Sequence, residues 1–191
     1  MATMTPKTMI FADGENLVMR YQEMVNHGKK PKKAVVHVQD SFVWSPDITT
    51  WSCFNIVRVS YYTSVIGDEN KIQELRDYIA NVWYEFSYDP DTSVPVASAQ
   101  IVPFVFKKDK KSRKTRNVDI NIVIDTMRHS LSHDLEIIYI LSGDGDYLPL
   151  IQEIMKHGKQ VYLSAFTSGL HPRLKSSVDL FNPLDDFFFI G

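Results

Sequence analysis

The chain has 191 residues, of which 44% are hydrophobic and 12% aromatic, and its 21 Lys and Arg against 23 Asp and Glu leave a formal charge of −2. That length and apolar content exclude intrinsic disorder and suit one domain with a sizeable core, so residues 1–191 are expected to fold as a single unit. The near-neutral charge offers no global attraction to nucleic acid, and the lone Cys53 excludes an internal disulfide and a zinc site of several thiolates.

Met9–Ala12 is a short apolar segment ending at Asp13-Gly14-Glu15-Asn16, after which Leu17, Tyr21, Met24 and Val25 recur at helical spacing up to Gly28. A strand running into a helix is predicted. Residues 29–52 mix Lys29, Lys30, Lys32 and Lys33 with Pro31 and Pro46 and read as a long basic loop or insertion. Cys53–Val65, dense in β-branched and aromatic residues, predicts a strand. Asp68, a candidate N-cap, precedes Ile72, Leu75, Ile79, Val82, Trp83 and Phe86, a stripe that predicts an amphipathic helix.

Ala99–Phe106 predicts a further strand, and a basic loop at 107–117 follows with Lys107, Lys108, Lys110, Lys111, Arg113, Lys114 and Arg116. From Asp119 onward Ile120, Ile124, Met127 and Leu131 keep helical spacing and predict a helix. Leu135–Leu141 is a continuous apolar run, a buried strand, ending at Ser142-Gly143-Asp144-Gly145-Asp146. The helix after it carries Leu150, Ile151, Ile154 and Met155, tolerates Pro149 in its first turn and stops at Gly158. Gln160–Ala165 predicts a strand, Leu170–Val178 a short helix begun near Pro172, and Phe187–Ile190 a last strand. Strands alternating with helices imply a mainly parallel sheet covered on both faces, a three-layer α/β/α sandwich. No run approaches the roughly 20 apolar residues of a membrane span, and the N-terminus has no signal-peptide core, so a cytoplasmic protein without a membrane partner is expected.

In open parallel sheets, ligands bind beyond the carboxyl ends of the strands. Asp13 and Asp144 each follow a strand directly, and Asp119 opens a helix after another, so three chain segments deliver carboxylates toward one sheet edge. Clustered carboxylates repel unless a cation sits among them, and Mg²⁺ or Mn²⁺ suits a shell of oxygens and water. Such a site supports hydrolysis of a phosphodiester. Asn16, three residues after Asp13, faces the same pocket, and Gly14, Gly143 and Gly145 permit tight turns and close backbone approach. Each acidic residue has a structural alternative: Asp13 and Asp119 as helix N-caps, and Asp146 as an even better one. Asp125, about 120° around the helix from Asp119, is expected outside the ligand set, as a neighbour of it or a partner of a lysine. The histidines form no ligand pair apart from His129 and His133, which lack an adjacent glutamate, and Ser142 is not in a nucleophile-elbow pattern.

These segments together resemble the NYN domain family of PIN-like nucleases, especially its LabA-like branch. The matching stretches are residues 10–17 (IFADGENL), 116–119 (RNVD), 141–147 (LSGDGDY), 157–161 (HGKQV) and 174–179 (LKSSVD). Arg116-Asn117 stands where lysine and glycine are more usual, and residues 29–51 are longer and more basic than in a minimal domain. The resemblance implies a metal-dependent endoribonuclease with Asp13, Asp119, Asp144 and Asp146 as its acidic Mg²⁺ or Mn²⁺ set and Asn16 beside them. Single-stranded or structured RNA is then the expected partner, guided by Lys108, Lys110, Lys111, Arg113, Lys114 and Arg116, and a homodimer is admitted. A nucleic-acid-binding or protein-binding regulator with the same fold and little cleavage is the alternative from a different class. An aspartyl phosphatase is disfavoured because residues 13–15 read Asp-Gly-Glu and not Asp-x-Asp.

Overall fold

In the computed structural model, which describes residues 5–86, 97–108 and 116–191, β1 (Lys7–Asp13) passes directly into α1 (Gly14–Asn26). A hairpin of β2 (Val36–Val38) and β3 (Phe42–Trp44) follows, then the short α2 (Asp47–Thr50), β4 (Asn55–Val65) and α3 (Glu69–Ala80). β5 (Trp83–Phe86) and β6 (Ala97–Gln100) form a second antiparallel pair ahead of β7 (Val102–Lys107) and α4 (Arg116–Ser130). β8 (Ile137–Leu141), a 3₁₀ turn (Gly145–Tyr147), α5 (Leu148–Lys156), β9 (Gln160–Ala165), α6 (Pro172–Lys175), β10 (Leu180–Pro183) and α7 (Asp185–Phe188) complete the described chain.

Six strands form one sheet in the order β10-β9-β8-β1-β4-β7, with every neighbouring pair parallel. From β1 the chain first builds outward through β4 and β7, then returns to β8 on the other side of β1 and builds outward through β9 and β10. The direction of winding therefore reverses between β1 and β8. That is the place where adjacent connections leave on opposite faces and a crevice opens.

Helices cover both faces, which is why the central strands read as unbroken apolar runs. Along β1 the side chains alternate: Ile10 and Ala12 join the core that includes α1, the hairpin and α3, whereas Met9 and Phe11 join the core beneath α4, α5 and α6. β8 divides in the same way, with Tyr139 and Leu141 on the first face and Ile138 and Ile140 on the second.

Four expectations are corrected. The segment 29–52, expected as a loop, contains the β2–β3 hairpin and α2, and Phe42, Val43 and Trp44 are buried. Strands of three residues are too short to show a period, and what fixes them is remote: the Tyr61 hydroxyl accepts from Val43 N at 3.1 Å and donates to Val43 O at 3.3 Å. The helix from Asp68 stops at Ala80, where Asn81 Nδ2 donates to Asp77 O, and Trp83–Phe86 is a strand in which Tyr84 and Phe86 are buried while Trp83 is exposed. The strand expected over Ala99–Phe106 is divided at Ile101 between two sheets, and Pro103 is tolerated because β7 is an edge strand. The C-terminal strand is β10 and not Phe187–Ile190; there α7 is followed by a single bridge from Phe189 to Pro31.

The helix expected from Asp119 begins three residues earlier, at Arg116, so Asp119 lies in its first turn and is not its cap, and the helix is turned relative to expectation. Val118, Ile122, Thr126 and Ser130 face the core, whereas Ile120, Ile124 and Leu131 are exposed. Asp125 accepts from the Tyr62 hydroxyl at 2.9 Å and pairs with Arg128, an arginine where a lysine was expected.

Candidate active site

At the reversal between β1 and β8, the end of β1 delivers Asp13 and the turn after β8 delivers Ser142, Gly143 and Asp144. Asp13 is 1% exposed and caps α1 by accepting from Asn16 N at 3.1 Å through Oδ1. Its Oδ2 accepts from Ser142 Oγ at 2.9 Å, and Gly143 N donates to Asn16 Oδ1 at 3.0 Å. The two segments are thus stitched together across the crevice by the groups that would face a ligand.

Asp144 caps the 3₁₀ turn, its Oδ1 accepting from Asp146 N at 3.0 Å. The cap that the sequence suggested for Asp146 is supplied by Asp144, and the Asp146 side chain is exposed. Tyr147, the next residue, is buried and donates from its hydroxyl to Asp119 Oδ1 at 3.1 Å. Burial holds the Tyr147 phenol well above its ordinary value of 10.0, and the charges of Asp13 and Asp119, the hydrogen bond to Asp119 and the charge of Asp144 add to that. The Tyr147 hydroxyl therefore stays protonated and donates to Asp119, under the added influence of the charges on Asp13 and Asp144.

Close approach at this corner needs glycine at position 14. A Cβ there would lie 2.7 Å from Tyr62 O and would also strike the Tyr61 ring, so α1 can begin against β4 only without a side chain. Gly145 is similarly hemmed in by His171, at 2.6 Å from its ring, whereas a Cβ on Gly143 would meet only ordinary contacts at 3.5 Å.

The basic residues fall in different places. Lys108 is half-buried and forms an ion pair with Glu15 at 3.3 Å, and Glu15 also accepts from Ser64. Arg116 is exposed at the start of α4. Lys110, Lys111, Arg113 and Lys114 lie outside the described residues. Sequence reasoning did not assign roles to Tyr147, to Ser142 as a partner of Asp13, or to Glu15; the only sequence signal for any of them was adjacency to an acidic motif.

The donor set suits a hard divalent cation, since every group presented is oxygen and each carboxylate oxygen has two lone-pair sites, which makes a hydrogen bond and a cation compatible at one atom. Among the described residues, however, no group of three or more His, Cys, Asp or Glu side chains stands ready to hold a metal ion.

A Rossmann-like parallel sheet with an acidic pocket at its switch point defines the class. The chain belongs to the NYN domain family, whose model matches residues 7–190, and such domains are PIN-like and nuclease-like. The structure is also similar to the crystal structure of a protein of unknown function from Vibrio parahaemolyticus, with a TM-score of 0.63, 17% sequence identity and coverage of 100% of this chain and 99% of that one. No match is found among curated proteins. No helix among the described residues is long and apolar enough to cross a membrane.

Proposed function

We propose that residues 1–191 act as one domain and as a metal-dependent endoribonuclease of the LabA-like branch, working in the cytoplasm. The observation that supports this reading is at the sheet's switch point, where Asp13 is bonded to Ser142, two residues before Asp144, and Asp119 accepts from the hydroxyl of Tyr147, three residues after it. Asp13, Asp119 and Asp144 would hold Mg²⁺ or Mn²⁺, with Asp146 at the exposed rim as an outer member of the set. When bound, such an ion supplies a positive charge that acidifies water and stabilises charge developing on a phosphodiester. Asn16 has its Oδ1 fixed by Gly143 N, which orients its amide beside Asp13. The N-terminus of α1, opening at Gly14, adds partial positive charge where a phosphate would sit. Lys108, Lys110, Lys111, Arg113, Lys114 and Arg116 would supply sequence-independent affinity for the RNA backbone.

The test is cleavage of mixed single-stranded and structured RNA by the purified protein with Mn²⁺, Mg²⁺ or chelator, alongside Asp144→Asn. Metal-dependent cleavage that falls by about 100-fold or more in the variant is expected, since losing a first ligand should exceed the roughly 10- to 100-fold seen for outer-shell partners. Cleavage that persists in chelator or in the variant defeats the proposal. The lack of a ready-made ligand group among the described residues favours a second reading, a regulator that binds RNA and cleaves little. RNA binding with no cleavage in any metal is its signature.

A further inference from the structure

A cleft of about 800 Å³ opens beside the acidic pocket, running along α1 between the tip of the β2–β3 hairpin and the end of β4. Its near end is lined by Glu15, Asn16, Lys108 and Asp144, so it is continuous with the candidate active site. Its volume lies within the roughly 300–1,000 Å³ of small-molecule sites. We propose that this cleft is a base-recognition subsite that takes an unstacked nucleobase of single-stranded RNA next to the cleaved linkage. The proposal rests on the ribonuclease reading for the choice of RNA.

The cleft offers a phosphate backbone no surplus of positive charge. Glu15, Glu23, Asp40 and Asp144 line it with Lys71 and Lys108, and Lys108 is already paired with Glu15, as Glu23 is with Arg20, so a neutral base suits it better than a phosphate. The walls suit a base: Met19 and Ile66 line the cleft while 52% and 41% exposed, together with the buried Val18 and Val65. A polarizable thioether and a flat aliphatic surface cover an aromatic face well. Asn26, Gln39 and Ser41 supply the amide and hydroxyl groups that pair with base edges.

The hairpin wall is held in place before any ligand arrives. With the Gln22 amide turned so that its oxygen faces the donors around it, it donates to Asp40 Oδ1 at 3.0 Å and accepts from Asp40 N at 2.9 Å and from His37 Nε2 at 3.2 Å, pinning the hairpin tip to α1. Thr63 Oγ1 donates to Ser41 O at 2.6 Å, tying the same tip to β4. Asp40 itself adopts φ 57°, a left-handed conformation that costs a non-glycine residue energy and recurs at ligand-binding corners. A wall fixed in advance loses little entropy on binding. A base reaches such a cleft only when splayed from its neighbours, which selects single strands and loops over duplex.

The experiment measures binding of a fluorescein-labelled single-stranded RNA decamer of mixed sequence by anisotropy in chelator, where no cleavage intervenes. Its controls are the same decamer with abasic sites through its centre and the decamer annealed to its complement. Wild type is expected to bind the intact strand at least about tenfold more tightly than either control, and Met19→Ala/Ile66→Ala to bind all three within about twofold of one another. Both residues are exposed and outside the acidic set, and a circular dichroism melt like that of wild type shows that the variant folds. Equal wild-type binding to intact and abasic strands, discrimination retained in the variant, or no measurable binding overturns the subsite. Discrimination without Mn²⁺-dependent cleavage sinks the nuclease reading and leaves the subsite standing; cleavage without discrimination does the reverse.

Discussion

Asp13 fills the helix-cap role that sequence reasoning set against its candidate role as a ligand, and the two are compatible. It caps α1 through Oδ1 and reaches Ser142 through Oδ2, so the cap is what aims the carboxylate into the crevice. Tyr147, to which sequence reasoning gave no role, is buried in the core, yet its hydroxyl donates to Asp119. Replacing that hydroxyl tests its positioning of Asp119. Tyr147→Phe keeps the packed ring, so its unfolding midpoint should stay near that of wild type, while Mn²⁺ affinity by calorimetry should weaken by about 10- to 100-fold, as for other groups that orient a ligand. Unchanged Mn²⁺ binding would show that Asp119 needs no such restraint.

At the scale of elements, the sequence reveals an amphipathic pattern only where one face is plainly polar. α4 carries apolar residues all round, so its periodicity is satisfied by either of two stripes, and contact with β1 and β4 selects the stripe through Val118 and Ile122. The energetic consequence is asymmetric. Ile122→Ala should cost about 2–5 kcal/mol in urea denaturation and Ile124→Ala within about 0.5 kcal/mol, because only the first empties a packed site. Equal costs would mean that the outer face of α4 is also covered. The same limit explains the stripe from Ile72 to Phe86, where a helix and a strand abut and their apolar positions fall into one apparent helical series.

Across the whole molecule, two properties depend on charge. His37, packed on Tyr21 with Asp40 nearby, and His129, packed on Phe11 among Arg58, Asp125 and Arg128, both have pKa values lowered from 6.5, chiefly by burial. A depressed folded-state pKa means that the unfolded chain binds more protons, so this stability is fully present above pH 6.5 and is lost as pH falls through it. The urea midpoint should therefore drop between pH 7.5 and 5.5, and the drop should shrink in His37→Gln/His129→Gln; an identical drop would place the sensitivity elsewhere. Association with single-stranded RNA should depend steeply on salt. Neutralising Lys110, Lys111, Arg113 and Lys114 together should flatten the log–log slope by about 2–3, at roughly 0.7 for each phosphate left without its cation, and an unaltered slope would remove the basic loop from the interface. By itself the sequence determined the α/β class, the three-layer parallel architecture, the main strands and the acidic motifs, because strand runs, helical stripes and turn residues are local signals. Only the tertiary structure decided the β2–β3 hairpin, the face of α4, the Glu15–Lys108 pair and the hydrogen bond from Tyr147 to Asp119, because each depends on contacts between residues far apart in the chain.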